Sequence, residues 1–114
     1  MDSKGFVVLN RDPKYPPYKK LNIPEIQDLY VMPKYRRQGV AKQLIHFCEA
    51  QAGTDTIGIS VPVSAQYGGA QRLYSQLGYS PDGQGVTYNR EGVIHNDYVC
   101  VDDDLCLMMV KDLK

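Results

Sequence analysis

The sequence predicts an α/β fold, a mixed α+β sheet built round a central βαβ unit, in a single domain over residues 1–114. Three observations predict it. Ile57, Ile59, Val61 and Val63 alternate strictly, which is strand periodicity. Just upstream, Val40, Ala41, Leu44, Ile45 and Cys48 recur at helical spacing. Before that helix, Ile23 to Met32 is a second strand candidate, ended by Pro33. Strand, helix and strand in that order imply parallel pairing, because a crossover helix joins parallel neighbours.

The remaining elements follow in chain order. Gly5 to Leu9 is short, apolar and rich in β-formers, so it reads as a strand. Arg11 to Lys20, with three prolines and two tyrosines, reads as an ordered loop. Within Ile23 to Met32 the apolar phase slips: Ile26 falls on one face, Leu29 and Val31 on the other. Such a slip marks either a β-bulge or a strand buried on both faces. Gly53 stops the first helix. A second helix carries Ala70, Leu73, Tyr74 and Leu77 on one stripe, with Gly78 as its C-terminal stop. Pro81 to Gly85 reads as a turn-rich break. Val86 to Tyr88 and Leu105 to Val110 read as two closing antiparallel strands, joined by a solvated loop that includes Asp102-Asp103-Asp104.

Composition excludes several classes. Thirteen basic residues balance thirteen acidic ones, which argues against a dedicated nucleic-acid binder. No apolar run approaches the roughly 20 residues of a membrane span, and Met1-Asp2-Ser3-Lys4 opens no secretory leader, so a cytoplasmic protein is expected. Cys48, Cys100 and Cys106 form an odd set without a close pair, which reads as reduced core thiols. These three with His46 and His95 lack the spacing of metal ligands, so no metal is expected.

The chemistry concentrates in Lys34-Tyr35-Arg36-Arg37-Gln38-Gly39 and the helix start that follows. Gly39 allows close approach of a ligand to the backbone, and Ala41 keeps the first turn uncrowded. Free N–H groups and the helix dipole favour an anion there, and Arg36, Arg37 and Lys42 add positive charge. A pyrophosphate would satisfy all of these; a basic surface turn feeding an amphipathic helix is the plainer reading. No Gly-Lys-Ser/Thr and no G-x-G-x-x-G occurs, so the known glycine-rich phosphate loops are excluded.

Val31-Met32-Pro33-Lys34-Tyr35-Arg36-Arg37-Gln38-Gly39-Val40-Ala41 resembles motif A of the GNAT superfamily of N-acetyltransferases, with Arg36, Gly39 and Ala41 at its defining positions. Arg37 stands where the family often has glycine. Leu73-Tyr74-Ser75-Gln76-Leu77-Gly78-Tyr79 is similar to the family's motif B, and the likeness continues from Asp103 to Lys111. The resemblance implies acetyl-CoA as co-substrate in a wedge between two splayed parallel strands. It implies pantetheine contacts at Leu29, Tyr30 and Val31, beside a bulge around Leu29 and Tyr30. Pyrophosphate contacts then fall to Arg36, Arg37, Gln38, Gly39, Val40, Ala41 and Lys42.

It further implies direct acetyl transfer to a primary amine of a small molecule or peptide within a ternary complex. Tyr74 matches the family's frequent general acid, although its place on the apolar stripe also suits core packing. Glu25 matches a base position of some relatives; a solvent-facing strand edge is its other reading, and Asp28 is the competing carboxylate. Tyr67 stands where relatives often have asparagine, and Gly68-Gly69 loosens the start of the second helix. Set beside the family, the chain reads as N-terminally abbreviated by a strand and two helices that wall the acceptor site. The expectation is an N-acetyltransferase, with a catalytically silent acyl-CoA-binding module as the alternative. Apolar edges left by the abbreviation favour a homodimer.

Overall fold

Strand β3 (Thr56–Pro62) and its neighbour β6 (Leu105–Asp112) run antiparallel through the middle of the molecule, in register from Thr56↔Asp112 to Pro62↔Cys106. The computed structural model describes residues 3–114, so Met1-Asp2 lies outside the described residues. Among them the sheet has six strands in the order β1-β2-β3-β6-β4-β5, with β1 at Gly5–Asn10, β2 at Glu25–Val31, β4 at Ser80–Tyr88 and β5 at Glu91–Gly92. Helix α1 is Pro16–Leu21, α2 is Val40–Gln51 and α3 is Gly68–Gln76.

The alternation in β3 sets the layers. Ile57, Ile59 and Val61 point to one face, where they meet Ile45 and Cys48 of α2 and Tyr74 of α3. Each such aliphatic side chain taken from water contributes roughly 1.5–3 kcal/mol. Gly58 and Ser60 belong to the other face, where α1 closes a second cluster of Tyr15, Tyr18, Ile23, Cys106 and Met108. Parallel β2 and β3 join the two helical faces as the βαβ reading requires, but they pair only at Glu25↔Gly58 and Ile26↔Ile59. Beyond Ile26 they part.

The parting has a local cause. Asp28 and Leu29 sit together opposite the single residue Val7 of β1, and Asp28 takes a left-handed φ of 54°. This is the bulge that the slipped apolar phase indicated, one residue earlier than expected, and it turns β2 away from β3.

Three expectations need correction. Arg11 to Lys20 is not all loop, because α1 begins at Pro16. Prolines at the first helical positions cost no hydrogen bond, and buried Tyr15 and Tyr18 anchor this short helix. Pro81 to Gly85 does not break the chain. It lies inside β4, whose residues 82–85 bulge out opposite the single residue Met108, with Gly83 and Gly85 both at positive φ. Cys48 and Cys106 are buried thiols, but Cys100 is exposed, on the polar stretch before β6. Among the described residues no helix is long and apolar enough to cross a membrane.

Candidate active site

Where β2 and β3 separate, a cleft of about 1200 Å³ passes between them. Side chains from both sheet faces line it. Ile59, Val61, Leu73 and Tyr74 lie on the α2–α3 side, while Gln27, Ser60 and Arg90 lie on the α1 side. A cleft reaching both faces can hold two reactants that meet end to end.

The basic turn forms one wall. Arg36, Arg37 and Ala41 line the cleft, and so do Leu29 and Val31 of the bulged strand. Arg36 folds back, its Nε donating to the Val31 carbonyl at 3.0 Å. Gly39 caps α2 with φ 80°, and no side chain caps the first turn, so the leading N–H groups keep their donors free for an anion. Arg37 also takes a left-handed φ, 63°. That explains why glycine suits this place: the conformation costs a non-glycine residue roughly 1–2 kcal/mol.

Of the other predicted contacts, Tyr30, Gln38, Gly39, Val40 and Lys42 do not line the cleft with their side chains. Val40 is a core residue at 7% exposure, and Tyr30 faces away, packed on Phe6 with Arg36 over its ring. The side chains of Tyr30, Gln38 and Lys42 are exposed outside the cleft. Asp28 is exposed and reaches the cleft from the bulge.

Tyr74 lies on the cleft wall, 6% exposed. Burial pushes its phenol up to about 12, so it stays protonated throughout the neutral range. The end of α3 that carries it is tied down by the next tyrosine. Tyr79 is buried, donates to Glu49 of α2 at 2.8 Å, and sits 6.4 Å from the Tyr74 ring.

Glu25 is not on a solvent-facing edge. It is fully buried beneath the α1-side floor of the cleft, and its Oε2 accepts from Arg90 Nη2 at 2.7 Å. Its Oε1 is buried without a hydrogen-bond partner among the described residues. Burial raises its pKa above the usual glutamate value; the Arg90 charge and the neighbouring Gln27 and Ser60 oppose that rise without cancelling it. The same Arg90 nitrogen donates to Ser60 Oγ at 3.1 Å, and both Arg90 and Ser60 line the cleft directly above Glu25.

Sequence reasoning missed Arg90. It lies in the two-residue turn between β4 and β5, where Asn89 and Arg90 both have positive φ. Asparagine opening a two-residue hairpin loop was the available signal. No group of three or more histidine, cysteine or acidic side chains among the described residues is placed to hold a metal ion.

A mixed sheet opened between two parallel strands, with a bulged strand and an arginine–glycine turn at the opening, is the acyl-CoA N-acyltransferase fold. The family model described as acetyltransferase (GNAT) domain matches residues 5–101, and the chain belongs to that family. Among solved structures, the NatB acetyltransferase complex bound to a bisubstrate inhibitor is 25% identical with a TM-score of 0.69, over 96% of this chain and 60% of that one. Nourseothricin acetyltransferase is 20% identical with a TM-score of 0.65, over 99% and 59%. YncA of Salmonella typhimurium, solved with its cofactor acetyl-CoA, is 16% identical with a TM-score of 0.62, over 97% and 58%. The chain thus spans about three-fifths of the length of these structures. No curated protein matches the sequence.

Proposed function

We propose that the chain is an acetyl-CoA-dependent N-acetyltransferase that acts on a primary amine by direct transfer in a ternary complex. The observation that carries this reading is the cleft open to both sheet faces, with an uncapped helix start and two arginines on one side and a buried carboxylate–arginine pair on the other. Acetyl-CoA suits the α2 side. Its pyrophosphate would take the backbone donors of Arg37 to Lys42 with the charges of Arg36 and Arg37. Its pantetheine would pair with the backbone of Leu29, Tyr30 and Val31, which the bulge leaves without a β3 partner. The amine would enter from the α1 side, past Arg90 and Ser60.

The amine arrives as ammonium and must lose a proton before it can attack. In this reading Glu25 is the final proton acceptor. Because it lies beneath the cleft floor, the proton passes through the Ser60 hydroxyl, which takes the ammonium proton as it gives its own to Glu25. The neutral nitrogen then attacks the thioester carbonyl carbon. As the tetrahedral intermediate collapses the C–S bond breaks and the leaving sulfur takes a proton from Tyr74, while the nitrogen gives its second proton to solvent, from which Tyr74 is reprotonated. Asp28, exposed and without a cationic partner among the described residues, suits recognition of the amine better than proton transfer.

Tyr74→Phe tests the acid role. It keeps the ring that packs on the α3 stripe and removes only the hydroxyl. We expect kcat to fall roughly 10²–10⁴-fold, read as free CoA thiol released, while the acetyl-CoA dissociation constant changes less than threefold. An unchanged kcat would reduce Tyr74 to a packing residue.

A further inference from the structure

Arg90 is set where its reach matters. The Asn89–Arg90 turn places both residues in left-handed conformations, which an arginine adopts only when its surroundings hold it there. From that turn the guanidinium lies across β3 to β2, one nitrogen bonding both Ser60 Oγ at 3.1 Å and Glu25 Oε2 at 2.7 Å. These two residues flank the last paired positions of β2 and β3, so the bridge spans the strands just where they part. The Arg90 side chain is one-quarter exposed, on the cleft, whereas that of Glu25 is fully enclosed.

We propose that Arg90 is a positioning residue for the transfer reaction: it ties Glu25 to Ser60 at the vertex of the cleft and holds Glu25 as the ionised proton acceptor. The proposal rests on the reading of Glu25 as the base. An isolated buried carboxylate takes up a proton rather than stay charged, and a protonated Glu25 accepts nothing. Arg90 supplies the only cation bonded to it among the described residues. The other titratable groups that bear on Glu25 leave it without a competing charge. Tyr18 on α1 and Cys106 on β6 are both raised by burial and stay neutral at working pH. Asp82 of β4 stands further off, hydrogen-bonded to Tyr15 at 2.5 Å.

The test compares wild type, Arg90→Gln and Glu25→Gln through the pH profile of kcat/KM. Alongside it, a carbon-13 NMR titration follows the Glu25 carboxyl in wild type and Arg90→Gln, a readout that needs no turnover. Arg90→Gln is expected to move the acid limb to higher pH, so that the rate at a pH on the wild-type limb falls roughly tenfold or more against the variant's own plateau. The Glu25 resonance should titrate at correspondingly higher pH. A limb and a resonance that stay where they were would overturn the proposal, since a merely structural arginine lowers stability without moving either. If Glu25→Gln leaves the limb intact, the base reading fails and the proposal goes with it. If Glu25→Gln removes the limb while Arg90→Gln leaves it unmoved, only the positioning role is lost. Should Arg90→Gln not fold, Arg90→Lys serves, because an ammonium on a single stem cannot bridge Glu25 and Ser60 with the same geometry. A smaller upward shift is then expected, and none at all would count against the role.

Discussion

Glu25→Gln is expected to lower kcat/KM roughly 10²–10⁴-fold, the usual worth of a general base, while the protein stays folded. The amide matches the carboxylate in shape, so the space beneath the cleft floor remains filled. It also removes the charge that burial penalises, and Arg90, one-quarter exposed, turns its freed donors to water. Stability should therefore hold or rise slightly at neutral pH. The sign follows from the raised pKa of Glu25. A carboxyl that binds its proton more tightly folded than unfolded stabilises the fold below the unfolded value, and that contribution is lost as pH rises through the folded value. Above it the ionised group is a burden that glutamine lifts. Steady-state rates with urea unfolding of the same samples check both halves, and a variant as fast as wild type would remove Glu25 from the chemistry.

Tyr18→Ala is expected to cost about 3–5 kcal/mol of stability, the range for emptying a buried aromatic site. Tyr18 is 1% exposed, its ring lies against Gly58 so closely that an added Cβ would stand 2.5 Å from it, and its hydroxyl donates to the Met109 carbonyl at 2.5 Å. Gly58 in turn donates its N–H to Pro24 and pairs with Glu25, so the packing of α1 supports the β2–β3 vertex directly. Tyr18→Phe, which keeps the ring and forfeits one hydrogen bond, should cost only about 1 kcal/mol. Urea midpoints of the two variants decide it, and equal losses would place the stabilisation in the hydroxyl rather than the ring.

The βαβ core was legible because its signals are local. Strict alternation from Ile57 to Val63 and the stripe from Val40 to Cys48 each lie within one element, and the slipped phase of Ile26 against Leu29 is a bulge written into the chain. Helix α1 was not legible. Six residues opening on Pro16-Pro17 have little helical tendency of their own, and only the tertiary burial of Tyr15 and Tyr18 makes them one. Pro81 to Gly85 misled for the related reason that proline and glycine mark turns, whereas here antiparallel β6 carries the strand past a bulge.

The site divides the same way. Arg36, Arg37, Gly39 and Ala41 form a contiguous motif, and Tyr74 sits in another. The Glu25–Arg90 pair joins residues 65 positions apart. No periodicity reports such a contact, and the burial of Glu25 could not be told from a strand that alternates polar and apolar residues.

The proposed transfer depends above all on acetyl-CoA binding at the opening beside α2. Calorimetric titration of acetyl-CoA into wild type and Ala41→Glu measures this. Glutamate in the first turn suits the helix dipole, so the variant should fold as well as wild type. It places a negative charge where the pyrophosphate would lie. One saturable site is expected in wild type, with about 2.7 kcal/mol of stabilisation at 100 times Kd, and at least 100-fold weaker binding in Ala41→Glu. Equal affinity in the two proteins, or no heat and no stabilisation in wild type, would contradict it.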